Sequence, residues 1–219
     1  MSFEVIKTYL PLYNEALLLT IKIGWLGILA AFAMGLLGAV IQYFRVPVLK
    51  TVTAVYIEVF RNTPLLVQLF FIYFALPKIG IKISAQTTGI LGLGFIGGAY
   101  MIETMRSGLE SIDKIQSESA LSLGMTRGQV FFHIILPQAI SVSIPGLVAN
   151  VIFLLKETSV FSTISLMDLM FTAKDLIGMY AKTIECLFLL VVYYLIMLLP
   201  VSILGSIVER RSRYAQFGD

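Results

Sequence analysis

Residues 23–44 read IGWLGILAAFAMGLLGAVIQYF, 22 positions without a single Asp, Glu, Lys or Arg. A helix needs roughly 20 apolar residues to cross about 30 Å of hydrocarbon, so this stretch is long enough to span. Three more charge-free stretches follow, Ile83–Ile102, Gly128–Leu155 and Cys186–Val208. A fifth, Ala54–Leu76, is equally apolar apart from Glu58 and Arg61. Helices are the expected form, because a helix satisfies its own backbone hydrogen bonds in lipid. The short alternating segments of a membrane barrel are missing. The whole chain agrees: of 219 residues 58% are hydrophobic and only 13% charged. An ordinary soluble domain carries about a quarter charged residues, so a water-soluble enzyme is excluded at the level of composition. The expected fold is an all-α integral membrane protein with five transmembrane helices. They are placed at about 16–42, 54–76, 84–103, 137–157 and 185–208 of a single membrane domain over residues 1–219.

Charge sets the expected orientation. Loops 43–53 and 103–129 and the tail 209–219 hold Arg45, Lys50, Arg106, Lys114, Arg127, Arg210, Arg211 and Arg213. The opposite side holds Lys7, Lys78, Lys82, Lys174 and Lys182 and no arginine. Positive residues collect in the cytoplasm, which puts the amino terminus outside and the carboxyl terminus inside. The formal net charge of +3 then reflects topology, and no nucleic-acid partner is expected. The leading segment carries Glu4, Lys7 and Glu15 and lacks the positive start of a cleavable signal, so the first helix is expected to persist.

Catalytic signatures are missing. There is no G-x-x-x-x-G-K-[ST] phosphate loop, no G-x-S-x-G elbow and no H-E-x-x-H. Cys186 and His133 are each the sole residue of their type, which leaves no disulfide and no thiolate metal cluster. No enzymatic activity and no bound cofactor are expected of this chain. Gly94 and Gly98 form a small-xxx-small pair suited to close helix packing.

The informative segment is the cytoplasmic connection of about 104–136, long for a plain link between packed helices. It contains Glu118-Ser119-Ala120, then Gly124, then Ile134, Leu136 and Pro137. Glu118 to Leu123 can form a short helix whose apolar patch is Ala120, Leu121 and Leu123. Gly124 permits a sharp turn and leaves a close partner unobstructed. Such a helix suits docking in a protein groove, or lying on the lipid surface. The spacing resembles the E-A-A, three residues, G, nine residues, I-x-L-P pattern of permease subunits of bacterial ATP-binding-cassette importers. Ser119 is the one departure.

Three stretches narrow the resemblance to polar amino-acid permeases. Tyr56-Ile57-Glu58-Val59-Phe60-Arg61-Asn62-Thr63-Pro64-Leu65-Leu66-Val67-Gln68 is similar to their Y-x-E-x-F-R-G-T-P-L-L-V-Q, with Asn62, a residue tolerant of positive φ, in place of glycine. Ala99-Tyr100-Met101-Ile102-Glu103 with Arg106 resembles A-Y-x-x-E-x-x-R, and Leu154-Leu155-Lys156-Glu157-Thr158-Ser159 resembles L-L-K-D-T-S. The resemblance implies a type I importer permease in the bacterial cytoplasmic membrane, paired with an identical or paralogous second permease. It further implies ATPase subunits that use ATP and Mg and dock on Glu118, Ser119, Ala120, Leu123 and Gly124, and an extracytoplasmic amino-acid-binding protein. A stand-alone secondary carrier and a non-transporting membrane scaffold subunit are the alternatives.

Ionisable residues within spans mark pathways or pair with one another. Glu58 and Arg61 share a helix face, where a structural ion pair competes with substrate contact. Glu103 and Arg106 offer the same choice. Asn150 and Glu157 lie seven residues apart on one face, with Phe153 between them. Glu157 is a candidate partner for a substrate ammonium group and Lys156 for its carboxylate.

Overall fold

The structure is a computed structural model that describes residues 3–217, with side chains described for residues 4–212. Residues 1, 2, 218 and 219 and the Arg213 side chain lie outside the described part. Every regular element among the described residues is helical. Nine α-helices run in order: α1 Phe3–Tyr43, α2 Leu49–Arg61, α3 Leu65–Phe70, α4 Ala85–Glu110, α5 Lys114–Ser122, α6 Arg127–Val130, α7 Leu136–Glu157, α8 Leu169–Tyr180 and α9 Thr183–Phe217. π-helical turns at Phe71–Ala75 and Phe131–Ile135 and 3-10 turns at Leu76–Ile79 and Thr158–Ile164 fill the joints.

α4 is the central helix, packed against α1, α2, α3 and α7. Glycines allow that packing. A Cβ on Gly97 would sit 2.6 Å from Leu154 and 2.7 Å from Ala31, and one on Gly98 would sit 2.7 Å from the Tyr56 hydroxyl. The Gly94 and Gly98 pair therefore serves contact inside this chain, with Ala30 and Met34 of α1. α1 starts well before residue 16, and its 41 residues make it longer than a bilayer core requires. The extra turns bury Tyr9 and Tyr13 against α8 and α9, where the Tyr13 hydroxyl donates to the Cys186 carbonyl at 2.7 Å.

Three stretches are long and apolar enough to cross a membrane, Glu4–Tyr43, Arg127–Ile164 and Thr183–Ser212. The pair Leu49–Arg61 and Leu65–Ile79 adds a fourth if taken as one broken span. The single helix expected over 54–76 is thus bent by 103°. Pro64 has no N–H to donate and pushes Thr63 out of the helical region. Gln68 Nε2 takes up carbonyls at the break, donating to Phe60 O and Thr63 O at 3.1 Å each. Asn62 does not use positive φ here: its φ is −98°, and its side chain donates to the Glu58 carbonyl at 2.7 Å.

Candidate substrate cleft and coupling segment

The break between α2 and α3 opens a cleft of about 380 Å³ against α4 and α7. Arg61 and Thr63 line it from the break, Tyr100 from α4, and Phe153 and Glu157 from α7. Arg61 and Glu157 belong to different motifs far apart in the chain, yet they share one opening. Tyr100 and Phe153 form its aromatic wall, edge to face with centroids 5.3 Å apart. The Arg61 guanidinium lies 5.3 Å from the Tyr100 ring centroid, within cation–π range. The cleft thus offers one cation, one carboxylate and a flat apolar surface between them.

The other candidate residues take different places. Arg61 does not pair with Glu58; it turns to Glu103 of α4, at 3.9 Å. Glu58 instead accepts from Asn62 Nδ2 at 3.0 Å. Glu103 does pair with Arg106, at 2.5 Å, and Arg106 also holds Glu110 at 2.6 Å. Asn150 is turned to α4, where it donates to Thr104 Oγ1 at 2.9 Å, and it does not line the cleft. Lys156 is exposed and also lies outside the lining. Sequence reasoning had no role for Tyr100, although it stands inside the quoted A-Y-x-x-E stretch, one turn from Glu103.

At the other end of α7, the candidate coupling segment is built as two short helices around Gly124. α5 starts at Asp113, whose side chain accepts from Ile115 N at 3.0 Å. Gly124 has φ +85°, a left-handed turn that favours glycine, and a Cβ there would meet nothing within 4 Å. α6 opens with a capping box between Thr126 and Gln129. The expected apolar patch is divided: Ala120 is buried, whereas Leu123 is 85% exposed. Glu118 is exposed beside it and Ser119 points outward as well. Gln138 Nε2 donates to Gln116 Oε1 at 2.6 Å, tying α5 to the first turn of α7. His133 is exposed, its Nδ1 3.0 Å from the Gln129 carbonyl, and joins no metal-ligand group among the described residues.

A glycine-packed helical bundle with a broken second span, a polar cleft at the break and an exposed helical pair around a left-handed glycine defines a membrane transport subunit. Residues 15–214 match the family of binding-protein-dependent transport system inner membrane components. The chain belongs to that family. It is 38% identical over 175 residues to a probable glutamine ABC transporter permease of Bacillus subtilis, covering 80% of each chain. It is 35% identical over 212 residues to a probable amino-acid permease of the same organism, covering 95% of each. Among solved structures, a crystal structure of an amino acid ABC transporter with histidines matches with a TM-score of 0.90 and 36% identity, over 96% of this chain and 99% of that one. An inward-facing methionine ABC transporter at 17% identity shares the fold, with a TM-score of 0.79 over 97% of this chain and 99% of that one.

Proposed function

We propose that this chain is the transmembrane subunit of an ATP-driven importer of an amino acid, and that the cleft at the α2–α3 break holds the substrate. The carrying observation is the convergence of Arg61 and Glu157 on one cleft walled by Tyr100 and Phe153. A zwitterion needs a cation for its carboxylate and an acid for its ammonium group. A guanidinium binds carboxylate through two parallel N–H donors. Arg61 thus takes the role the sequence assigned to Lys156, and Asn150 acts behind the cleft by holding Thr104. The relatives named as amino-acid permeases support this substrate class. They also weigh against a stand-alone carrier or a scaffold.

In this reading five spans cross a bacterial cytoplasmic membrane as one domain, amino terminus outside and carboxyl terminus inside, with α4 as the third span. Two permease subunits, identical or paralogous, line the path, and an extracytoplasmic binding protein delivers the amino acid. ATP and Mg act in partner ATPases, which dock on Glu118, Ser119, Ala120, Leu123 and Gly124. This chain converts their motion and binds no cofactor of its own.

The test is uptake by the complete transporter in proteoliposomes. Glu157→Gln and Arg61→Gln are each expected to raise the half-saturating amino-acid concentration about tenfold or more, the range for removing one partner of a charge-assisted contact. An unchanged half-saturation in both variants removes the cleft as the substrate site.

A further inference from the structure

A second cavity, of about 250 Å³, lies beyond the cleft toward the end of the bundle where α5 begins. Its wall includes Lys50 and Glu58 of α2, Glu103, Arg106 and Glu110 of α4, and Arg45 of the α1–α2 turn. Glu103, Arg106 and Glu110 stand on one face of α4, and Ala54, Glu58 and Arg61 on one face of α2, by helical spacing. So dense a row of charges cannot be set against hydrocarbon; it must border water or another charged surface. Among the described residues Glu58 has no cation within ion-pair distance, and Asn62 is its one side-chain partner.

Two side-chain contacts join the cavities, Asn62 to Glu58 at 3.0 Å and the ion pair of Arg61 with Glu103. Arg61 lines the cleft above, Glu103 lines the cavity below, and 3.9 Å separates their charged atoms. The ion pair is weakly held from both sides. Glu103 is bound more closely by Arg106, at 2.5 Å, and the Arg61 and Glu103 side chains are 37% and 33% exposed. We propose that the inner cavity is a second amino-acid site, a release vestibule, and that the Arg61–Glu103 ion pair is the gate between it and the substrate cleft. The proposal rests on the cleft above being the substrate site. A substrate carboxylate that engages Arg61 competes with Glu103 for the same guanidinium, so occupancy of the cleft itself loosens the gate. Arg106 and Glu110 keep Glu103 in place when Arg61 leaves. Glu58 then receives the ammonium group of the departing amino acid on the inner side.

Thiol labelling in the complete transporter tests this, with Cys186→Ala as background. In inside-out vesicles, a membrane-impermeant methanethiosulfonate is expected to label Glu58→Cys readily and Thr63→Cys, on the cleft side of the gate, slowly. Adding Glu103→Gln is expected to raise Thr63→Cys labelling about fivefold, the factor that a partly exposed ion pair is worth. If Glu58→Cys does not react from that side, the cavity is covered and is no vestibule; this arm needs no change at Glu103. If Thr63→Cys reacts equally with and without Glu103→Gln, the ion pair is no gate. Protection of Thr63→Cys by saturating amino acid in right-side-out vesicles reports separately on the cleft. Its absence overturns the substrate site, whereas the labelling order at 58 and 63 still decides the gate.

Discussion

At Gln68 a single side chain holds the feature that opens the cleft. Its Nε2 donates to Phe60 O, Thr63 O and Thr63 Oγ1, at 3.1, 3.1 and 3.0 Å, and so covers the Phe60 carbonyl, which the missing Pro64 N–H leaves open, and the Thr63 carbonyl at the break. Gln68 itself is buried, so its amide supplies these bonds from within the protein. Gln68→Leu keeps the size and removes the donors, and is expected to destabilise the protein by about 1–3 kcal/mol, the cost of leaving buried polar groups unpaired. The check is the thermal midpoint in detergent; an unchanged midpoint means that the break is held by other contacts. The sequence showed Gln68 only as the last letter of a resemblance, and Pro64 as part of an unbroken apolar run. Hydropathy cannot see the break, because it scores side chains while the break lies in the backbone N–H that Pro64 lacks. The charged residues were legible for the same reason that the break was not. Glu58, Arg61, Glu103 and Glu157 stand out in an apolar chain, but which of them meet depends on a 103° turn between elements.

At the scale of elements, α8 shows what the pattern could not carry. Its cap Asp168 received no role from the sequence, yet the residue is fully buried. Asp168 accepts from Met170 N at 3.2 Å and from Phe171 N at 3.0 Å, and Leu169 N donates to Thr20 Oγ1 of α1 at 3.2 Å. Burial pushes the Asp168 carboxyl up from 3.8 to about 7, while the Phe171 and Met170 amides act in the opposite direction and Lys174 adds a smaller pull. The sign follows. The unfolded chain loses this proton near pH 4 and the folded chain near pH 7, so between those values the folded state binds the extra proton and stability falls as pH rises. A rise of that size corresponds to at most about 4 kcal/mol against the ionised folded form. Asp168→Asn can still cap the helix but never carries the charge. The thermal midpoint of the variant relative to the natural chain is expected to increase from pH 5 to pH 8. A difference that stays constant over that range shows that Asp168 titrates as an exposed carboxyl would.

Across the whole molecule, one continuous helical stretch, Arg127–Ile164, joins the proposed coupling segment to Glu157 at the proposed substrate cleft. α6, the π-helical turn Phe131–Ile135, α7 and the 3-10 turn Thr158–Ile164 form its length, and Pro137, directly after the π-helical turn, removes one backbone donor from inside it. α5 stands off this stretch behind the left-handed turn at Gly124 and is tied back to it by Gln116 and Gln138. In the proposed reading docking and transmission fall to different residues, and two substitutions separate them. Gly124→Asp places a charged side chain in a conformation that disfavours it, on a face with no neighbour in this chain, and is expected to abolish co-purification with the ATPase subunits. Gln138→Leu leaves Gly124 and the outer surface of α5 untouched but cuts the tie. Co-purification is expected to persist, while amino-acid uptake per ATP hydrolysed falls about threefold to tenfold, the effect of a lost hydrogen bond of about 1 kcal/mol. The ratio of uptake to hydrolysis in proteoliposomes is the deciding quantity, because reduced assembly lowers both rates together and leaves the ratio unchanged. An unchanged ratio in Gln138→Leu means that α5 drives the helical stretch through Gly124 alone, and that the Gln116–Gln138 contact only positions the segment.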